Sequence, residues 1–148
     1  MGPGGDDGSR PGRDGDGRSV TESPVRVVLV DDVEEIRVLL RRVLVRDGRF
    51  DVVAEGGDGE QAVEAARLHQ PDLVLLDLAM PVLDGLAALP LIRAAAPDTR
   101  VVILSGFAEG EMGDAAREQG ALGYVQKGLP PDRLLGKIAA LLRLAPAG

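Results

Sequence analysis

Four short apolar runs in this chain each end in a residue suited to phosphate or metal chemistry. Val27-Val28-Leu29-Val30 runs into Asp31-Asp32, and Leu73-Val74-Leu75-Leu76 into Asp77. Val101-Val102-Ile103-Leu104 runs into Ser105, and Tyr124-Val125-Gln126 into Lys127. Unbroken runs of this length, rich in Val, Leu and Ile, suit strands buried on both faces, as in a parallel sheet. Between them the apolar residues recur at helical spacing. Alternation of the two patterns from Val25 onward predicts a doubly wound α/β fold with a five-stranded parallel sheet. All C-terminal strand ends of such a sheet lie on one edge, and ligands bind in the crevice there. Three carboxylates, one hydroxyl and one ammonium would then converge.

Strands are expected at 26–30, 51–54, 73–76, 101–104 and 122–126, and helices at 33–46, 58–69, within 84–96, at 109–119 and at 131–144. In the first helix Ile36, Leu39, Leu40, Val43 and Leu44 form one apolar face, and Asp47-Gly48 ends it. Asp58 caps the second helix, and Pro71 follows its end. An interior proline loses a hydrogen bond and clashes with the preceding turn. The third helix is therefore expected to become regular near Leu86 or later, with Pro90 near its first turn. Gly110 and Gly113 each cost on the order of 1 kcal/mol relative to Ala, which marks the fourth helix as the least stable. Leu134, Leu135, Ile138, Leu141 and Leu142 of the last helix face inward.

Residues 1–23 are rich in Gly, Asp, Arg and Ser and nearly devoid of apolar side chains. They cannot bury enough surface to offset the entropy of ordering, so a disordered tail is expected. Asp14-Gly15-Asp16-Gly17 invites a calcium-loop reading, but the twelfth loop position, which needs an acid, falls on Val25. One domain then occupies 24–145, and 146–148 is a short tail. The formal net charge of −7 argues against nucleic acid as a partner, which would need a basic face. Cysteine is absent, which removes disulfides, zinc-thiolate sites and thiol nucleophiles. No apolar stretch reaches the roughly 18–20 residues of a membrane span, and residues 1–23 lack a signal-peptide core. A cytoplasmic protein away from the membrane is expected. His69, the only histidine, sits at a helix end beside Pro71 and is expected to be exposed and uninvolved.

Mg²⁺ prefers oxygen ligands in octahedral geometry and keeps several waters, so two carboxylates and a phosphate oxygen suit it. Asp31, Asp32 and Asp77 can supply that set, and Lys127 a fixed positive charge. A carboxylate can also attack a phosphoryl group to form an acyl phosphate. Asp77 is the best nucleophile candidate because it stands alone, whereas Asp31 and Asp32 are adjacent and can share a metal. Taken singly, each residue has a plainer explanation. An Asp after a strand is often a helix cap or turn former, Ser105-Gly106 a turn, Lys127-Gly128 a solvated loop, and Tyr124 a sheet-edge residue. The joint pattern of four suitable strand ends favours chemistry.

With these residues in view, the sequence resembles the receiver domain of bacterial two-component response regulators over about residues 25–145. The resemblance rests on Val-Leu-Val-Asp31-Asp32, on Asp77-Leu-Ala-Met80-Pro81-Val-Leu-Asp84-Gly85, on Ser105-Gly106 and on Tyr124-Val-Gln-Lys127. It implies a flavodoxin-like (βα)5 fold with Asp77 as phosphoacceptor, served by a sensor histidine kinase or a phosphotransfer protein. It implies Mg²⁺ held by Asp31, Asp32 and Asp77 with the backbone carbonyl of Ala79, Asp32 being the more direct ligand. Lys127 would pair with the phosphoryl oxygens. Ser105 and Tyr124 would be a switch pair that alters the surface of the fourth helix, fifth strand and fifth helix.

Gly128 stands where the family usually has proline. A cis bond to a non-proline residue costs roughly 2.5–4 kcal/mol, so a trans bond or an altered loop is allowed after Lys127. No helix-turn-helix segment follows the last helix, so output through an unidentified downstream protein is expected, with a homodimer also allowed. A phosphorylation-independent scaffold, or the truncated receiver half of a DNA-binding regulator, are the alternatives. An aspartate-nucleophile phosphatase is disfavoured because Ala79 stands where its second carboxylate would be, so an enzyme acting on other molecules is not expected. Ala79 and Phe107 flank the expected phosphoryl site. Neither positions an attacking water, so a long-lived acyl phosphate is expected.

Overall fold

The computed structural model describes residues 23–80, 82–106 and 110–144. Residues 1–22, Pro81, 107–109 and 145–148 lie outside the described residues, and with them most of the expected tails and, in Phe107, one flank of the phosphoryl site. The elements run β1 (Val25–Val30), α1 (Glu34–Asp47), β2 (Phe50–Gly56), α2 (Gly59–His69), β3 (Leu73–Asp77), α3 (Gly85–Ala95), β4 (Arg100–Ser105), α4 (Gly110–Glu118), β5 (Gly123–Gln126) and α5 (Pro131–Leu142). The strands pair in parallel in the order β2-β1-β3-β4-β5. The chain reverses its direction of travel between β1 and β3, so the topological switch point lies at the ends of those two strands. No described helix is long and apolar enough to cross a membrane.

Alternation along each strand divides the core into two layers. Val28, Val30, Val74, Leu76, Val101, Ile103 and Tyr124 pack with Ala62, Ala66, Ala88, Leu89, Ile92 and Ala116, from α2, α3 and α4. Val27, Leu29, Leu73, Leu75, Val102, Leu104 and Val125 pack with Leu40, Leu44, Leu134, Ile138 and Leu142, from α1 and α5. The aromatic share of the chain is 2%, so small and branched aliphatic side chains do this filling. The α2–α3 side is especially rich in alanine, which brings those helices close to the sheet.

Several local readings hold. Asp58 Oδ1 accepts from Gln61 N at 2.8 Å and caps α2. Gly48, in the left-handed region at φ 89°, ends α1. Other readings need correction. Leu39 does not belong to the buried face of α1; it is 54% exposed. It precedes Leu40 by one position, about 100° around the helix, and Leu40 and Leu44 take the inward stripe. α5 stops at Leu142, because Arg143 turns into the left-handed region at φ 58°.

α3 starts at Gly85, one residue before the expected Leu86, and Pro90 lies inside it, just past the first turn. Two anchors outweigh the proline. Asp84 Oδ1 accepts from Ala87 N at 2.8 Å, and Gly85 N donates to Leu78 O at 3.0 Å. Gly85 itself lies against the Asp77–Leu78 backbone, where a Cβ would come within 2.8 Å of Leu78 Cα. Gly59, at the start of α2, meets the next part of the same loop, where a Cβ would stand 2.7 Å from Leu83 Cβ. The loop that follows Asp77 is thus held between two helix starts.

Candidate phosphoacceptor and metal site

Asp31 follows β1 directly, and its backbone continues the β1–β2 ladder through Asp31 N to Gly56 O at 3.0 Å. The side chain then turns back on the chain: Oδ1 accepts from Val33 N at 2.9 Å, which shapes the entry into α1. Asp77 ends the central strand β3, and its Oδ1 accepts from Ala79 N at 3.3 Å. Ser105 ends β4, one residue beyond the position paired with Asp77, and is 1% exposed. Lys127 follows β5, and its backbone N–H donates to Ser105 O at 2.8 Å.

The strand ends therefore meet as the sequence predicts. Asp31, Asp32 and Asp77 offer oxygens that all lie within 4.8 Å of one another. Lys127 Nζ donates to Asp31 Oδ2 at 2.7 Å and stands 3.3 Å from Asp77 Oδ1. Asp31 and Asp77 are buried, whereas Asp32 is exposed. Asp32 has no side-chain partner among the described residues, so its carboxylate is available to a ligand. Tyr124 lies on the edge strand β5 and is buried there, on the face shared with α4. Ala79 is exposed at the rim.

The electrostatics of the cluster are unbalanced. Burial, and next the charge of Asp31, raise the pKa of Asp77; Lys127 and the Ala79 N–H offset only part of this. Burial pulls the Lys127 ammonium down, but its hydrogen bond to Asp31 and the charges of Asp77 and Asp31 outweigh that and leave it raised. Three carboxylates face one cation. A divalent cation suits this donor set: hard carboxylate oxygens converge, and one of them is open to solvent.

This site is the deciding observation, and comparison with known proteins agrees with it. Residues 27–139 match the response regulator receiver domain. The chain belongs to that family. It is 37% identical over 113 residues to the chemotaxis protein CheY of Bacillus subtilis (strain 168), a match covering 76% of this chain and 93% of that protein. It is 40% identical over 106 residues to the transcriptional regulatory protein PdtaR of Mycobacterium tuberculosis (strain ATCC 25618 / H37Rv), covering 70% of this chain but half, 50%, of that protein. Among solved structures it is similar to the CheX–CheY–BeF3–Mg complex from Borrelia burgdorferi, with TM-score 0.77 and 26% identity over 82% of this chain and 92% of that one. The protein thus contains the receiver domain of a two-component response regulator.

Two residues of this receiver domain's acidic edge escape a reading of strand ends. Arg37, on the first full turn of α1, donates through Nη1 to the main-chain oxygen of Asp31 at 2.5 Å. Its Nε donates to Glu55 Oε1 at 3.3 Å, and Glu55 pairs on its other oxygen with Arg41. An acid directly after the apolar run Val52-Val53-Ala54 is a signal in the sequence, but its link to α1 appears only with the register.

Proposed function

We propose that this receiver domain accepts a phosphoryl group on Asp77 from a histidine kinase or phosphotransfer protein and signals through protein contact. The observation that supports the reading best is the Asp77 carboxylate, fixed at the end of the central strand between Lys127 and two further carboxylates. Asp31, Asp32 and Asp77, with the carbonyl of Ala79, would hold Mg²⁺. When bound, the ion neutralises charge on the transferring phosphoryl oxygens and orients them. An oxygen of Asp77 attacks phosphorus, and the bond from phosphorus to the donor's imidazole nitrogen breaks. The imidazole leaves with the electron pair. Lys127 balances the negative charge gathered on the phosphoryl group, which is where such transfers need help. Ser105 donates its hydroxyl to a phosphoryl oxygen, and Tyr124, on the α4 side of the sheet, responds to it. The result is a shift between two states of the α4–β5–α5 surface.

Incubation of the full chain with phosphoramidate and MgCl₂, followed by intact mass measurement, tests this. A gain of one phosphoryl group is expected, and it is lost in Asp77→Asn or with a chelator. Labelling that persists in Asp77→Asn overturns the assignment.

A further inference from the structure

We propose that Arg37 is a positioning residue for the acidic pocket, acting through the peptide that joins Asp31 to Asp32. The inference rests on the metal-binding reading above and adds to it a residue that touches neither metal nor phosphate.

Every polar atom of Asp31 has a partner. Its N–H donates to Gly56 O, Oδ1 accepts from Val33 N, and Oδ2 accepts from Lys127. The remaining atom, the main-chain oxygen, accepts from Arg37 at 2.5 Å. That oxygen belongs to the Asp31–Asp32 peptide. Because a peptide unit is planar, fixing its oxygen fixes the direction in which the chain leaves for Asp32. Asp32 is the exposed member of the cluster and has no side-chain partner of its own among the described residues. The aim of its carboxylate is therefore inherited from the peptide that Arg37 holds.

Arg37 is itself held. Glu55 anchors Nε at 3.3 Å while Nη1 reaches Asp31, so the planar fork spans from the end of β2 to the residue that follows β1. It also lies beside Gly57, where a Cβ would stand at ordinary contact, 3.4 Å, from Arg37 Nη1. The side chain is 19% exposed. A lysine keeps the charge but has no fork with which to hold both oxygens at once. Arg41 is the built-in control, since it also pairs with Glu55 yet makes no contact with Asp31.

Full-length wild type, Arg37→Lys, Arg37→Met and Arg41→Met are titrated with MgCl₂ by calorimetry. The order parameter of the Asp32 amide is measured by NMR without metal. Both Arg37 variants are expected to bind Mg²⁺ roughly tenfold more weakly, as for outer residues that orient ligands. Their Asp32 order parameter is expected to fall from a rigid ~0.85 toward ~0.6. Arg41→Met is expected to stay near wild type in both. An unchanged affinity in the Arg37 variants overturns the proposal, and so does an equal loss in Arg41→Met. If wild type binds no Mg²⁺, the metal reading fails, and the Asp32 order parameter alone decides for or against Arg37.

Discussion

Lys127 and Asp31, 96 residues apart in sequence, meet at 2.7 Å between the ammonium and Oδ2. The contact spans the crevice from the edge strand β5 to the switch point. It places a cation between Asp31 and Asp77, two carboxylates that are 1% and 3% exposed.

Removal of that cation should be felt in the fold itself. Lys127→Gln leaves Asp31 buried without its charged partner. A loss of roughly 1–3 kcal/mol is expected, below the value for a fully buried pair because Lys127 reaches solvent. Urea denaturation measures it, and millimolar MgCl₂ should restore part of the loss. An unchanged midpoint would show that the bridge contributes nothing to stability.

Asp77 should act in the opposite sense. Its pKa is raised in the folded state, by burial first and by Asp31 second. The folded protein therefore holds this proton more tightly than the unfolded chain, whose carboxyl titrates near about 3.9. Stability from this group is fully present below that pH and is lost as the pH rises through the folded value. Metal-free Asp77→Asn should melt higher than wild type at pH 7.5, and the gap should close toward about pH 4. Melting curves at both pH values check this.

Asp47 provides the contrasting titration, far from the crevice. It accepts from Arg49 N at 3.1 Å, Nε at 2.7 Å and Nη2 at 2.8 Å, and the side-chain hydrogen bond is the main reason its pKa is lowered. Its contribution is present above the unfolded pKa and disappears as the pH falls through the folded one. Asp47→Ala should cost about 1–2 kcal/mol at pH 7. The difference from wild type should shrink below about pH 4, as followed by urea melts across that range.

The same substitution should have opposite signs at two helix glycines. Gly136 in α5 has open space around its Cβ position. Gly136→Ala should therefore stabilise by up to about 1 kcal/mol. Gly59→Ala drives a methyl into Leu83. A net cost of about 1–3 kcal/mol is expected despite the better helix former. Because Leu83 lies in the loop after Asp77, Gly59→Ala should also slow labelling by phosphoramidate, whereas Gly136→Ala should not.

Ala79 lies at the rim of the pocket with its N–H on Asp77. Its methyl group cannot orient a water toward an acyl phosphate. Ala79→Asn supplies a polar group there and should shorten the lifetime of the phosphorylated protein several-fold, in the range of modest positioning effects. Decay of labelled protein after donor removal measures it, and an unchanged lifetime would refute the role of this position.

The strand ends were readable because buried parallel strands are nearly pure Val, Leu and Ile, so a terminal Asp or Lys stands out. The cap at Asp58 was readable because short polar side chains serve orphan amides locally; the one at Asp84 emerges only with the structure. The start of α3 at Gly85 is not legible in sequence, because its anchors, Leu78 O and the floor beneath Gly85, are tertiary. The same limit hid Arg37. On a helix it reads as one more surface arginine, and its purpose emerges only when β2 brings Glu55 beside it. Leu39 shows the converse, an apolar residue at regular spacing that packing leaves outside.

β3 is buried along its whole length and paired on both sides, while α4 carries two glycines, one at φ +40°. Opening free energy is therefore expected to be higher in β3 than in α4. In hydrogen exchange the amides of Leu75 and Leu76 should open only with global unfolding, and those of α4 long before. On the reading proposed above, a group added at Asp77 would be attached to a strand that yields late and be read by a helix that yields early. The size of such a response would depend on the free-energy gap between states of α4, where 1–2 kcal/mol changes a population ratio by roughly 5- to 30-fold.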